Sequence, residues 1–459
     1  MKKYLLLLLI LIPIKVYADE ATEITKNCSI QINNQVTTRL TDGNVKTYSK
    51  INAGGELSVT ANNEQSIKQL YIVYEIASKT GIITSSDGST TNVGKDGFLH
   101  EYINLNNVTN SIKIKYDEDV TISEIRIFGE GETPKDVQKW EKEDKTDLMI
   151  FSTHADDEQL FFAGVMPTYI NEGKKVHVVY LARHDVGGYY APSRLHEQLD
   201  GLWTLGVTDY PTFGLIPDAY SESLAVAENQ IKNAGFTDDD IILFDVKALR
   251  TYKPKVVLGH DENGEYGHGQ HRLNTFTLKQ AIEKSQDSSY VVEGLEAYSV
   301  PKFYIHLYDM ENITTLNYDL PLEKYDGKTA YEVSKEGYAK HLSQQYTWFT
   351  DWLRGKNSSY TSATQITKYN PTYWGLYKSD VGPDVNKNDL FENIVEEKKV
   401  ETIETDESQK ENANIKKKKE TKKEKIISTI KKNKEIIIIS LLGIVVLELI
   451  TLIFKKRAK

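Results

Sequence analysis

Hydrophobic positions along this chain change their period near residue 148. Between residues 25 and 131 they come in short alternating or β-branched runs: ELSVTA (56–61), QLYIVYEIA (69–77), SIKIKY (111–116) and ISEIRIF (122–128). Turn sequences such as TDGN and SSDGS divide them. Successive side chains of a strand point to opposite faces, so each run can bury one face, and several in sequence predict an all-β sandwich. From Leu148 onward strand-like runs alternate with helical ones. LMIFS (148–152), KVHVVYLA (175–182) and KVVLG (255–259) read as strands. Residues 158–172, SRLHEQLDGLWTLG (193–206), DIILFDVKALRTYKP (240–254) and HRLNTFTLKQAIEKS (271–285) carry apolar residues at helical spacing. Leu195, Leu199 and Leu202 fall on one face of the second of these. Repeated strand–helix units imply a parallel sheet covered on both faces, so the fold class is α/β over 148–378. An aromatic-rich stretch with the helix-like YEVSKEGYAKHLSQQYTWFTDWL (331–353) closes that domain.

The charged run 132–147 reads as a linker and the polar, Lys-rich run 379–435 as a flexible stalk. Both ends of the chain bear on location. Residues 1–18 have a basic start, an apolar stretch and a small-residue cleavage pattern ending at Ala18, the signature of a secretory signal peptide. IIIISLLGIVVLELITLIF (436–454) has the length of a bilayer core, and KKRAK (455–459) reads as a cytoplasmic tail. The expectation is a single-pass cell-membrane protein with an extracellular ectodomain. The formal net charge of −10 gives no support to nucleic-acid binding. Cys28 is the only cysteine, so no intrachain disulfide can form and any metal site must draw on histidines and carboxylates.

Two turns hold the candidate chemistry. THADDE (153–158) follows the strand at 148–152, and HDENGEYGHGQH (260–271) follows the strand at 255–259. Ligands of open α/β sheets bind at the carboxyl ends of the strands, so both turns fall on one edge. Either motif alone has an ordinary explanation, since an acidic run before a helix is commonly a cap. Together, His154, Asp157 and a histidine of the second turn match a catalytic zinc site of two imidazoles and one carboxylate.

THADDE, the R-x-x-E of RLHE (194–197) and GEYGHGQH (264–271) together resemble the PIG-L/LmbE-like family of zinc-dependent N-deacetylases, over residues 146–310. The resemblance implies a Rossmann-like fold, a Zn2+ cofactor and removal of an acetyl group from an N-acetylglucosamine-type unit of a glycan or glycoconjugate. It implies His154, Asp157 and His271 as metal ligands and Asp156 as the base that takes a proton from the attacking water. His268 would stabilise the tetrahedral intermediate or protonate the leaving amine, Tyr266 would stand near the oxyanion, and Arg194 would hold sugar hydroxyls. Asp218, in GLIPD, can reach a sugar hydroxyl or cap a turn. Glu158 begins a helix, where cap and supporting roles coincide. At the N-terminal end, RLTDGNVKTYSKI (39–51) and ISEIRIFGEGE (122–132) resemble the discoidin-like, galactose-binding jelly roll. That implies a carbohydrate or surface ligand, with a structural spacer as the alternative.

Two positions depart from the deacetylase pattern. Ala155 stands where the family has proline, and Gln270 where it has an acid that would support a charged His268. Loss of that acid predicts a lower pKa for His268. His260 and Asp261 read as shaping their loop, and His184, His196, His306 and His341 as structural. The rival to an enzyme is a catalytically weak glycan-binding surface protein that works through its sandwich. A two-histidine, one-carboxylate iron oxygenase fits the ligand count but suits neither the fold nor the H-x-x-D spacing.

Overall fold

In the strand Ser111–Tyr116, Ile112, Ile114 and Tyr116 are buried while Lys113 and Lys115 face solvent. This alternation recurs through the β-rich N-terminal region of the computed structural model, which describes residues 19–63, 65–187, 191–345 and 359–395. The strands form two antiparallel sheets. One has six strands, in spatial order 35–36, 28–32, 56–61, 111–116, 81–85 and 90–93; the other has four, in order 49–51, 120–128, 67–74 and 100–109. Leu57, Val59, Ile72, Tyr74, Ile83 and Ile125 fill the interior between the sheets.

The second region is built on a six-stranded sheet. Its strands Val176–Tyr180, Leu148–Ser152, Val256–Gly259 and Lys302–His306 are parallel neighbours, extended by the antiparallel Tyr373–Ser379 and Thr314–Thr315. Alternate residues of the parallel strands feed two different cores. Met149, Phe151, Val257, Phe303 and Ile305 pack with Ile242, Val246, Leu249, Leu278 and Ile282, from the helices Asp238–Tyr252 and Gly269–Gln286. Leu148, Ile150, Val256, Leu258 and Tyr304 belong to the opposite core. That core takes in Met166, Leu195, Leu199, Leu202 and Val333, from the helices Val165–Asn171, Ser193–Thr204 and Ala330–Tyr338. The parallel sheet is therefore covered on both faces, and the carboxyl ends of its strands are left as the open edge.

Several expectations need correction. The helical run at 158–172 is broken into Asp157–Leu160 and Val165–Asn171, where Gly164 lies so close to the Tyr318 ring that a Cβ would overlap it at 2.3 Å. Of the helix expected at 331–353, the described residues form Ala330–Tyr338 and a single turn at Leu342–Gln344, and residues 346–353 lie outside them. The charged run 132–147 is packed: Val137, Gln138 and Trp140 are buried, and Trp140 meets Trp203 and Tyr210 edge to face. A charged composition hid these three inward positions. Residues 380–394 fold back onto the sheet where a stalk was expected. Leu390 and Phe391 join the core, and Asp384 takes both the Lys302 ammonium and the Tyr304 hydroxyl at 2.5 Å.

The single-pass membrane localisation is also corrected. No helix among the described residues is long and apolar enough to cross a membrane. The longest α-helix there, Gly269–Gln286, carries Arg272, Lys279, Glu283 and Lys284. The expected signal peptide (1–18), span (436–454) and tail (455–459), with most of the stalk, lie outside the described residues.

Candidate active site

Strand Leu148–Ser152 ends in a turn whose main chain is gripped by two histidine rings. The Thr153 N–H donates to His260 Nε2 at 3.0 Å and the Ala155 N–H to His184 Nε2 at 3.2 Å. The turn then passes through Asp156 at φ 106°, a left-handed conformation that costs a non-glycine residue about 1–3 kcal/mol and recurs at functional sites. Helix Asp157–Leu160 starts immediately after it. On the neighbouring strand, Val256–Gly259 leads into the loop 260–268. There Gly264 is at φ 65°, and a Cβ on it would come within 2.4 Å of the His268 carbonyl. His268 caps the helix Gly269–Gln286, its Nδ1 accepting the Gln270 N–H at 3.1 Å.

These two turns bring His154, Asp157 and His271 into mutual contact. His154 Nδ1 and Asp157 Oδ2 are 2.9 Å apart, His271 Nε2 and Asp157 Oδ2 3.0 Å, and His271 Nε2 and His154 Nδ1 3.3 Å. A tetrahedral Zn2+ with bonds of 2.0–2.1 Å sets its ligand atoms roughly 3.3 Å apart, so the triangle fits such an ion with little adjustment. Ligand atoms of His154, His268 and His271, and likewise those of Asp157, His260 and His271, also lie within 4.8 Å of one another. His260 is nevertheless committed elsewhere, its Nε2 to Thr153 and its Nδ1 to Glu265 at 2.8 Å. Asp156, Asp157, Glu158, Asp218 and Glu265 are all buried in and beneath the site, among Arg194 and several buried histidines. Burial opposes ionisation of Asp157, yet His271 and His154 override it and hold its carboxyl well below the usual range. Burial likewise pulls His271 down, but Asp157 and Glu265 drive it up to about 10.

Glu265 was not singled out from the sequence, although it lies inside the second motif. It is fully buried and accepts three imidazoles: His260 Nδ1 and His271 Nδ1 at Oε2, both at 2.8 Å, and His306 Nδ1 at Oε1, at 2.7 Å. A carboxylate on the far nitrogen of a metal-ligating histidine fixes its tautomer and ring orientation. His306 arrives from the end of a third parallel strand, so it is tied to the site rather than merely filling the interior. Glu158 accepts the Asp156 N–H at 2.9 Å and faces His341 Nε2 at 2.7 Å.

Asp156 itself is pushed up to about 7, chiefly by burial, with Arg194 opposing. Arg194 reaches Asp156 Oδ1 at 3.0 Å and Asp218 Oδ2 at 3.2 Å, and also bonds the Ala155 carbonyl. The structure joins Arg194 and Asp218, expected to meet sugar hydroxyls, in a buried charge network around Asp156. Asp218 also approaches His154 Nε2, at 3.6 Å. Gln270 faces away from His268: its Oε1 accepts from His154 Nε2 at 2.8 Å and its Nε2 donates to the Pro217 carbonyl at 3.1 Å. His268 is pulled down to about 2, first by burial and then by the charges of His154 and His271. Its ring is neutral and, with Nδ1 accepting, carries the proton on Nε2. The Tyr266 ring stands edge-on to His268 and His271, its hydroxyl held well above its ordinary pKa by burial and then by Asp157 and Asp156. An exposed aromatic, Tyr220, meets the His268 ring edge to face at 5.2 Å.

The site together with the comparisons to known proteins identifies a metal-dependent hydrolase of the class that cleaves linear amides. Within it, the chain carries a PIG-L domain: the family described as PIG-L: GlcNAc-PI de-N-acetylase matches residues 149–282. Among curated proteins, the chain is 23% identical over 271 residues to the 1D-myo-inositol 2-acetamido-2-deoxy-alpha-D-glucopyranoside deacetylase 2 of Saccharopolyspora erythraea. That match covers 53% of this chain and 98% of the relative. The corresponding deacetylase of Geodermatophilus obscurus is 26% identical over 176 residues, covering 34% of this chain and 60% of the relative. Among solved structures, an N,N'-diacetylchitobiose deacetylase from Pyrococcus horikoshii overlays with a TM-score of 0.31 at 18% identity, covering 43% of this chain and 71% of that one.

Proposed function

We propose that the protein is a zinc-dependent N-deacetylase that hydrolyses the acetamide of an N-acetylated amino sugar, of N-acetylglucosamine type, in a glycan or glycoconjugate. The observation that carries this reading is the closed triangle of His154 Nδ1, Asp157 Oδ2 and His271 Nε2, with Asp156 as the adjacent residue of the same turn. Those three residues would hold the ion, which when bound supplies the Lewis acidity that makes water a nucleophile near neutral pH.

The chain's own groups do the rest. Asp156, with its pKa up to about 7, is matched to take the proton of the attacking water. Arg194 orients the Asp156 carboxylate as a positioning residue. His268 offers its Nε2–H to the oxygen that gains charge, and the Tyr266 hydroxyl, which stays protonated, is the second donor. The leaving nitrogen then takes up the proton held on Asp156. The exposed Tyr220 ring at the mouth suits stacking against a sugar face. We assign the catalytic unit to 148–378 with its packed extension to 394. We assign the two-sheet region at 25–131 to a discoidin-like module that holds a carbohydrate or surface ligand. The test is to incubate the zinc-loaded protein with N-acetylglucosamine oligomers of increasing length and titrate new primary amines. Amine appearing in step with acetate supports the reading. No amine from any oligomer, with zinc bound, would return the protein to the glycan-binding class.

A further inference from the structure

The strained residue at the centre of the site is braced from a distant part of the chain. We infer that His341, acting through Glu158, is a positioning residue that holds Asp156 in its working conformation. This rests on Asp156 being the base.

Asp156 is at φ 106° and makes no side-chain cap to the helix it begins. Its carboxylate turns to Arg194 and its N–H donates to Glu158 Oε2 at 2.9 Å. Glu158 is fully buried, and its other oxygen lies 2.7 Å from Nε2 of His341, which is equally buried, a close ion-pair contact without hydrogen-bond alignment. Three consecutive carboxylates thus each have their own partners. Asp156 has Arg194, Asp157 has His154 and His271, and Glu158 has His341. Without His341, Glu158 would lose its ion-pair partner, and the bond that fixes the Asp156 peptide would lose its anchor.

The surroundings leave His341 little freedom. Its N–H donates to the Tyr338 carbonyl at 3.0 Å, its ring stacks on Tyr338 at 6.2 Å, and its carbonyl accepts from Gln345 Nε2 at 3.0 Å. A Cβ on Gly201 would lie 2.9 Å from His341 Nε2. Gly201 belongs to the helix Ser193–Thr204 that also carries Arg194. One helix therefore delivers the arginine to the Asp156 carboxylate and leaves the gap through which the histidine reaches Glu158. The ion pair of the His341 ring is with Glu158 and not with a metal ligand, and its charge also reaches Asp156 directly.

The experiment compares His341→Phe, His341→Gln and Glu158→Gln in the full chain. It reads zinc per chain, kcat and KM for deacetylation, and the Asp156 backbone in a crystal structure of His341→Phe. The expected result is full zinc content and unchanged KM, with kcat lowered about 10–100-fold in His341→Phe and Glu158→Gln. His341→Gln, whose amide can turn an N–H toward Glu158 in place of the ring's ion-pair contact, should recover most of kcat. If His341→Phe does not fold, the split between His341→Gln and Glu158→Gln decides the matter in the same way. Wild-type kcat in His341→Phe or in Glu158→Gln overturns the inference, as does zinc lost in parallel with activity. A wild-type protein that releases no acetate refutes the functional reading instead. In that case the crystal structure still tests the brace: Asp156 unmoved at positive φ without His341 overturns it.

Discussion

Replacing Glu265 by glutamine tests the site from beneath. The carboxylate accepts His260 and His271 at Oε2, and His306 with the Asp261 N–H at Oε1. Glutamine keeps the shape but turns one oxygen into a donor. Whichever end becomes the NH2 group then faces at least one ring N–H that it cannot accept. A hydrogen bond to a charged group contributes about 1.5–3 kcal/mol, and a stranded buried donor costs about 1–3 kcal/mol, so the variant should lose about 2–4 kcal/mol of stability. The grip on His271 loosens as well, which predicts zinc affinity weaker by about 10–100-fold, or about 1.4–2.7 kcal/mol. Chemical denaturation of the apoprotein measures the first quantity, and competition with a chromogenic chelator the second. Affinity within twofold of wild type, together with an unchanged unfolding midpoint, would refute the claim that Glu265 organises the ligands.

Three further outcomes are expected. In the apoprotein, His271 is raised from 6.5 to about 10, so its contribution to stability is complete below pH 6.5 and is lost as pH rises through about 10. Zinc must displace that proton, so apparent zinc affinity should rise about tenfold per pH unit across this window, as calorimetry in several buffers can check. Gly264→Ala, at φ 65° and 2.4 Å from the His268 carbonyl, should lower kcat while zinc binding persists, because the loop that sets His268 must shift. Lys302→Met leaves Asp384 buried without its cation and should cost about 3–5 kcal/mol, seen as a lowered Tm. An unchanged Tm would mean that residues 380–394 contribute nothing to the fold.

The parts of the site that were legible in the sequence are those fixed by local spacing and by the sheet's edge rule. His154 and Asp157 share one turn, His268 and His271 another, and two parallel strands place the turns side by side. What stayed hidden depends on tertiary contact. Glu265 stands within six residues of His271, but its hold on His306 needs a third strand end. His341 follows a helix that has no sequence link to Glu158. Trp140 sits in a run of charges whose average conceals it, and Asp384 gains meaning only beside Lys302. Arg194 was read from its motif, yet its partners, Asp156 and Asp218, lie on two other loops.

The central claim is that Asp156 performs amide hydrolysis beside an ion held by His154, Asp157 and His271. The most direct measurement is acetate release from an N-acetylglucosamine oligomer by the wild type and by Asp156→Asn, with zinc quantified in both. The account predicts one zinc per chain in each protein, steady acetate release from the wild type, and a loss of at least about 100-fold in the variant. Equal release by the two proteins at equal zinc content would contradict it.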